Sequence, residues 1–587
     1  MQRYQVALFG LFLAAAQAAI AAPTQQQLTF RGTTSLSASA TTSGGGLGPE
    51  THTGPEFDAS FERLAKGAVS PSRVPSSHVP TPVDNAVAGF RANAGFDGLT
   101  HTDQRSASGG NQFSSEPPDQ GLAVGNGYVV ETVNTAIRVR ATDGSVVTPT
   151  LALNEFFKLA PSINRTTGVY GPFTSDPRAY FDIDSQRWFV TLLEIDQDPA
   201  TGAFLGHSSV LIAVSQTGAP TGVWNLYSID TTNVTGTPDH VGCPCLGDQP
   251  LIGADQYGFY VTTNEFPLFQ GGFNGAQVYA MSKAKLAAGS VAPVVMFSGL
   301  PLAEGPAYSL QPAITAQGGL HASANNGTEY FLSALDFNAT LDNRIAVWAL
   351  TNTKSLDDAT PNVALQSAVL ASQVYGQPPD VQQKPGPTPL ADQIKAGLLG
   401  KAGAQALPLI AANDDRMQQV TWADGKLWSS LNSVVKPLNG TVQSGAAYFI
   451  VAPAWSGGTL GGSVVKQGYV ALSNNGVIYP SVGVNKSGKG AIAFTLAGAS
   501  QYPSVAYAPL DAVNGAGAIT VVAQGAAPDD GFSGYPIFGG DRAGRWGDYS
   551  AAVADADGTI WFANEYIPNA PRTLLANWGT FIGKFTP

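Results

Sequence analysis

Cysteine, charge and long apolar runs are all scarce in this 587-residue chain, and each scarcity narrows what it can be. Two cysteines, Cys243 and Cys245, are the whole complement, so disulfides do not hold a core of this size together and at most fasten one loop. Around Pro244 two arrangements stay open. One is an i,i+2 disulfide or a pair of free thiols; the other is a metal site completed by His240, although zinc sites commonly space their cysteines more widely. Charged residues are 12% of the chain, the net charge is −12, and Lys and Arg form no block. This excludes a nucleic-acid partner, which needs a basic footprint. No apolar run is long enough for a comfortable membrane span. Neither a Gly-x-Ser-x-Gly elbow nor a Gly-Lys-Ser/Thr phosphate loop occurs, which argues against a serine hydrolase and a P-loop nucleotide site.

What is abundant is glycine (67) and proline (40). Gly supplies φ > 0 and Pro presets turn dihedrals, so the composition suits an all-β chain with many tight turns. Residues 1–21 read as a signal peptide, with Arg3 before an apolar core (Val6 to Ala16) and a small-residue cleavage site at Ala19-Ile20-Ala21. The protein is therefore expected to be secreted or periplasmic, without a membrane span. Asn-x-Ser/Thr sequons occur at Asn164, Asn233, Asn326, Asn338, Asn439 and Asn485. Residues 22–110 have the composition of a flexible low-complexity tail or linker. One island, Phe57 to Lys66, has the spacing of a short docking helix.

The globular part, 111–587, is organised by a repeated sentence, clearest in Asp541 to Tyr566. Polar residues lead into a short apolar strand (Ser550 to Ala554). An Asp/Gly turn follows, then an aromatic strand ending in Asn564-Glu565-Tyr566. Seven versions are present. They start near Pro117, Ser175, Gly247, Gln311, Asp415, Tyr479 and Asp541, and the fourth and sixth are degenerate. Starts about 55 to 75 residues apart suit four-stranded blades, so the expected fold is a single seven-bladed β-propeller of antiparallel blades. The one wide gap marks an insertion at 355–412, with a helix over 390–399. The last repeat lacks an outermost strand, which the segment before Glu116 is expected to supply.

In a propeller, the start of each innermost strand and the end of its second strand lie at the same channel mouth. The starts carry Asp119, Asp176, Arg178, Asp248, Asp415, Arg416, Arg545, Asp548 and Tyr549; the ends carry Asn134, Glu194, Asn264, Glu265, Asn432, Asn564, Glu565 and Tyr566. Convergent polar groups at a concavity are the usual ligand site. The competing reading is that these groups cap strands and lock blade to blade. Trp188, Tyr260, Trp428 and Trp561 are expected in the core between blades.

Pro117 to Gly125, Arg545 to Ser550 and Asn564 to Tyr566 resemble the hallmarks of a family of exported, mostly bacterial proteins with propeller-like repeats. The resemblance implies a propeller fold and export, and carries no reaction. Similarity to sialidase-type propellers is weaker, because Asp555 to Trp561 departs in spacing from the Asp-box turn of that group.

Three functions are then open. The favoured one is a monomeric module that binds a glycan, peptide or partner protein at the mouth. The second is a polysaccharide-acting glycoside hydrolase or lyase. Hydrolysis needs two carboxyl groups roughly 5 to 9.5 Å apart, and the preferred pair is Glu265 with Asp548, aided by Arg178 or Arg545. In the third, calcium stabilises the fold through Asp119, Asp176, Asp248 and Asp548. No other cofactor is indicated.

Overall fold

A computed structural model describes residues 20, 22–36, 74–92, 94–234, 239–335, 341–399 and 405–587. Nearly all of the signal-peptide reading, the Phe57 to Lys66 island and the sequon at Asn338 lie outside them. The chain is all-β and built from antiparallel meanders. The first comprises Gly121–Gly125, Tyr128–Val133, Ala136–Ala141 and Leu151–Ala152; the second Phe173–Asp182, Arg187–Gln197, Phe204–Ser215 and Val223–Asp230. The third is Cys245–Ala254, Gly258–Pro267, Gly275–Ser282 and Pro293–Phe297, and the fourth Gln311–Thr315, Thr328–Ser333, Asp342–Thr351 and Ala364–Tyr375. Val420–Ala423, Lys426–Val435, Gln443–Ser456 and Thr459–Val470 follow, then Gly476–Val484, Lys489–Gly498, Gln501–Asp511 and Ile519–Ala523. The last meander is Ala551–Ala554, Ile560–Tyr566 and Gly579–Phe585.

The first strands of these meanders touch one another in sequence order, and Ala551–Ala554 returns to Gly121–Gly125. The ring closes, as in a β-propeller, which leaves no inner edge exposed. Each meander stacks on a neighbour on both faces, so its second strand is buried on both sides: Trp188 to Ile195 is buried without alternation. Phe189 stacks on Phe259 of the next meander at 4.7 Å. Trp188, Tyr260, Trp428 and Trp561 are buried in the core, as their place in the repeat implied.

The N-terminal segment departs from the tail read in its composition. Gly95–Thr100 pairs with Gly579–Phe585, which supplies the missing outer strand of the last meander and ties the two ends of the chain together. Three further strands line outer edges: Thr24–Gln27 beside Pro293–Phe297, Thr29–Ser35 beside Val223–Asp230, and Val87–Phe90 parallel to Ile519–Ala523.

The insertion also differs from its expected bounds, because Ala364–Tyr375 is the outer strand of the fourth meander. Residues 376–412 do leave the ring, and their helix spans Pro389–Lys395. Its Leu390, Ala391 and Ile394 pack with Leu407, Ile410, Phe532, Tyr535, Trp546 and Trp578. Val381–Gln382, Leu409–Ile410 and Ala543–Gly544 join in a small sheet beneath. Together these residues form a cap on the side of the ring where the polar bookends lie.

Candidate functional site

The ring's inner strands begin with a backbone irregularity that places the polar groups. Asp119, Asp176, Gln249, Ser309, Asn413 and Tyr479 all have φ between +42° and +55°. In three of the meanders Pro follows at once (Pro177, Pro250, Pro480), and the strand register shifts there. A left-handed residue with a side chain costs of order 1–3 kcal/mol, so the surroundings must hold it. At three junctions the holder is the asparagine near the end of the second strand of the preceding meander. The Asp176 N–H donates to Asn134 Oδ1 at 2.8 Å, that of Ser309 to Asn264 Oδ1 at 2.9 Å, and that of Tyr479 to Asn432 Oδ1 at 2.7 Å. These asparagines are latches between meanders.

Most of the other bookends are also committed. Asn564 donates to Ser550 Oγ at 2.8 Å and Tyr566 to Asp97 at 2.5 Å. Glu194 takes Arg31 at 2.8 Å and Ser209 at 2.6 Å. Arg416, buried with Asp414 at 2.7 Å, donates to Gln249 Oε1 at 3.2 Å and lies over the Tyr308 ring; Asp415 is buried beside it. Glu565 accepts the Gly547 N–H at 2.8 Å. Burial holds its carboxyl well above the usual carboxylate range, with Asp529, Glu116 and Asp119 adding to the effect.

Glu265, one half of the preferred hydrolytic pair, is buried on the third meander. Its oxygens take His240 Nδ1 at 2.9 and 3.0 Å, Asn274 Nδ2 at 2.9 Å and Asn233 Nδ2 at 2.5 Å. Asp548, the other half, stands before the first strand of the last meander with Arg545 at 3.3 Å and Asn413 at 3.3 Å. The partners of the two carboxylates are distinct, and the burial of Glu265 closes it to a substrate.

A second set of carboxylates does converge. Asp119 accepts the Asp548 N–H at 2.6 Å and Asn134 Nδ2 at 2.7 Å. Burial raises its pKa well above the ordinary range, and Asp548 and Asp176 raise it further. Burial and then the charge of Asp548 push Asp176 up to about 6, against hydrogen bonds from the Gln249 backbone and the side chain of Asp248. Arg178 lies 3.3 Å over the ring of buried Tyr549, which donates to Pro177 O at 3.2 Å. Among the described residues these aspartates do not meet as a group with all ligand atoms within 4.8 Å, the closeness that His240, Cys243 and Glu265 reach. The arrangement therefore gives the calcium reading no support. Asp548 and Arg545 remain 18% and 21% exposed, and with half-buried Asp248 and Asn413 they form the open rim.

Below the rim the channel narrows to two cavities of ≈ 30 Å³ each, lined by Arg178, Leu251, Gln311, Gln419 and Val553 among others. Each has room for ordered water.

Sequence reasoning missed the buried acids under the cap. Asp530 takes Arg572 and Tyr535, both at 2.5 Å, and accepts the N–H groups of Leu390 and Ala391 at the start of the insertion helix. Burial and Asp530 push Asp529 up to about 7. In sequence, Asp529-Asp530-Gly531 reads only as a turn.

No protein-family model matches the chain, nor does any curated protein. Solved structures align over much of its length at low identity. A protein of unknown function from Dyadobacter fermentans aligns at 10% identity and TM-score 0.32, over 70% of this chain and 95% of its own. An exo-β-1,3-galactanase from Clostridium thermocellum aligns at 12% and 0.28, over 83% and 96%. A NanB sialidase from Streptococcus pneumoniae aligns at 11% and 0.32, over 84% and 70%. The architecture stated above rests on this chain's own strand pairing.

Proposed function

We propose that the chain is an exported, single seven-bladed β-propeller that binds a hydroxyl-rich extracellular ligand, a glycan, at the rim of its mouth. The carrying observation is the partly exposed rim of Asp548, Arg545, Asp248 and Asn413, seated on backbone that latches and left-handed residues hold rigid. Fixed carboxylates accept from sugar hydroxyls and guanidiniums donate to them. A preorganised set of this kind binds without first losing rotamer entropy.

A second reading has its own observation. Asp176, pushed up to about 6 by burial and then by Asp548, stands in the field of that second carboxylate, with which Arg545 pairs at 3.3 Å. An acid and a base of unlike pKa side by side are what glycoside hydrolysis uses. This pair replaces Glu265 with Asp548 as the hydrolytic candidate.

Both readings are tested with one polysaccharide panel, on which retention of the protein and reducing-end release are measured together. Losing a charge-assisted hydrogen bond costs about 1.5–3 kcal/mol, or roughly 10- to 100-fold in affinity. Asp548→Asn and Arg545→Gln are each expected to weaken retention by that factor, with near-ultraviolet circular dichroism showing the fold retained. Retention that both variants keep, or none by the parent, would overturn the rim. Release by the parent that Asp176→Asn abolishes would establish the hydrolase instead.

A further inference from the structure

Beside the mouth, on the third meander, the structure gathers a second set of functional groups. Cys243 and Cys245 are joined in a disulfide. Cys243 is half-buried and Cys245 fully buried. His240 and Glu265 face this bridge, and the candidate ligand atoms of His240, Cys243 and Glu265 all lie within 4.8 Å of one another. Cys243 Sγ is 3.9 Å from Glu265 Oε1, and His240 Nδ1 is 2.9 Å from the same oxygen. Asn274 reaches both Glu265 Oε1 at 2.9 Å and Cys245 Sγ at 3.5 Å.

Sulfur, imidazole and carboxylate are the three donor types zinc takes. Bond lengths of about 2.0–2.3 Å put the ligand atoms of a tetrahedral site roughly 3.3–3.8 Å apart. The separations here bracket that range, so small side-chain rotations suffice. What bars a metal is the covalent state of Cys243, whose sulfur is tied to Cys245 and cannot act as a thiolate.

We propose that the Cys243–Cys245 bridge is a redox lock on a zinc site formed by His240, Cys243 and Glu265. A dithiol reductant opens it. One reductant thiolate attacks the half-buried Cys243 sulfur and Cys245 leaves; the second reductant thiolate then displaces Cys243. The reductant ends as a disulfide, and its two electrons and two protons are now on the two cysteine thiols. As Zn2+ binds, the Cys243 thiol releases its proton to solvent, and so does the His240 Nδ1–H that donates to Glu265, which frees the Nδ1 lone pair for the metal and leaves the ring's proton on Nε2. One carboxylate oxygen of Glu265 is the third ligand, while Asn274 and Asn233 keep it oriented. A water completes the four positions.

Cobalt(II) serves as the probe, because a cobalt–thiolate bond absorbs in the near ultraviolet. The full chain is reduced with dithiothreitol, desalted and titrated with Co2+, beside an unreduced sample. The expected result is a thiolate-to-cobalt band saturating at one ion per chain in the reduced protein, displaced by Zn2+ and absent without reduction. Cys245→Ser frees Cys243 permanently and is expected to bind with no reductant. Cys243→Ser is expected to lose the band in either state, and Glu265→Gln and His240→Ala to weaken binding. A reduced parent that takes up no cobalt, or a band that survives Cys243→Ser, would overturn the proposal. Near-ultraviolet circular dichroism reports whether each variant is folded, and Cys245→Ser carries the test if Cys243→Ser is not. Glycan retention is measured in parallel on the rim and is not expected to follow the metal.

Discussion

The asparagine latches make a quantitative demand on stability, sharpest at Asn432. This side chain is 0% exposed and bridges two elements. Its Oδ1 accepts the Tyr479 N–H at 2.7 Å, and its Nδ2 donates to Ala412 O at 2.8 Å. Asn432→Ala deletes both partners at once. It strands a buried N–H and a buried C=O, each costing about 1–3 kcal/mol. It also withdraws the support that holds Tyr479 at φ 52°. If the tyrosine relaxes to a negative φ, the strain is relieved but the register shift between Ile478 and Ser481 is lost. The expected loss is therefore about 2–6 kcal/mol, a large fraction of the stability margin of a typical domain, about 5–15 kcal/mol.

The assay is urea unfolding followed by tryptophan fluorescence, with Val513→Ala as a surface control that should stay within about 0.5 kcal/mol of the parent. The slope must be unchanged for the midpoint shift to be read as stability. Asn264→Ala, at the equivalent junction of the third and fourth meanders, should give a loss of the same size. The two should add in the double variant, because they share no partner. A loss under about 1 kcal/mol at both positions would refute the latch, leaving the inter-meander core alone to hold the ring.

Two further expectations come from burial and from ring closure. The folded pKa of Asp176, about 6 against 3.8, is raised, so the folded state holds its proton more tightly; the stability this supplies is complete below pH 3.8 and is lost as pH rises through 6. The difference corresponds to about 3 kcal/mol. Asp176→Asn should therefore gain on the parent between pH 4.5 and 7 in urea midpoints, and a gap that does not move with pH would sink the assignment. Removing residues up to 100 strips Gly95–Thr100 from Gly579–Phe585 and should abolish near-ultraviolet circular dichroism. Removal up to 36 should only lower the melting temperature, because it bares the outer edges of two meanders.

What could be read in the sequence was whatever the ring repeats. The bookends recur because each meander meets the same geometry at the mouth, and the core aromatics recur because each second strand is buried on both faces. The outer N-terminal strands escaped because Thr24–Gln27 and Thr29–Ser35 lie on solvent-facing edges; their Thr, Gln and Gly carry no apolar alternation to betray a strand. The cap escaped because its helix is short and its contacts, Leu390 to Trp546 and Trp578, bridge distant parts of the chain. The sequence places Glu265 at the mouth for a related reason. Its place in the repeat is that of a mouth residue, while His240, Asn233 and Asn274, which take up its oxygens, come from the loops on either side of its own hairpin and obey no period.

A signal was nonetheless present in the asparagines. Asn is disfavoured inside strands, yet it stands near the end of the second strand in the first, third, fifth and last repeats as Asn134, Asn264, Asn432 and Asn564. The others carry Glu194, Ser333 and Thr495 near that place. Three of the four asparagines hold a left-handed residue of the following meander, so the alternation marks junctions rather than ligands. Residues that recur around the ring are thus the ones fixed by ring geometry. Asp548, Arg545 and Asp248 stay partly exposed where most other bookends are buried, and His240 and Cys243 come from a loop that obeys no period, so chemistry particular to this protein is to be sought there.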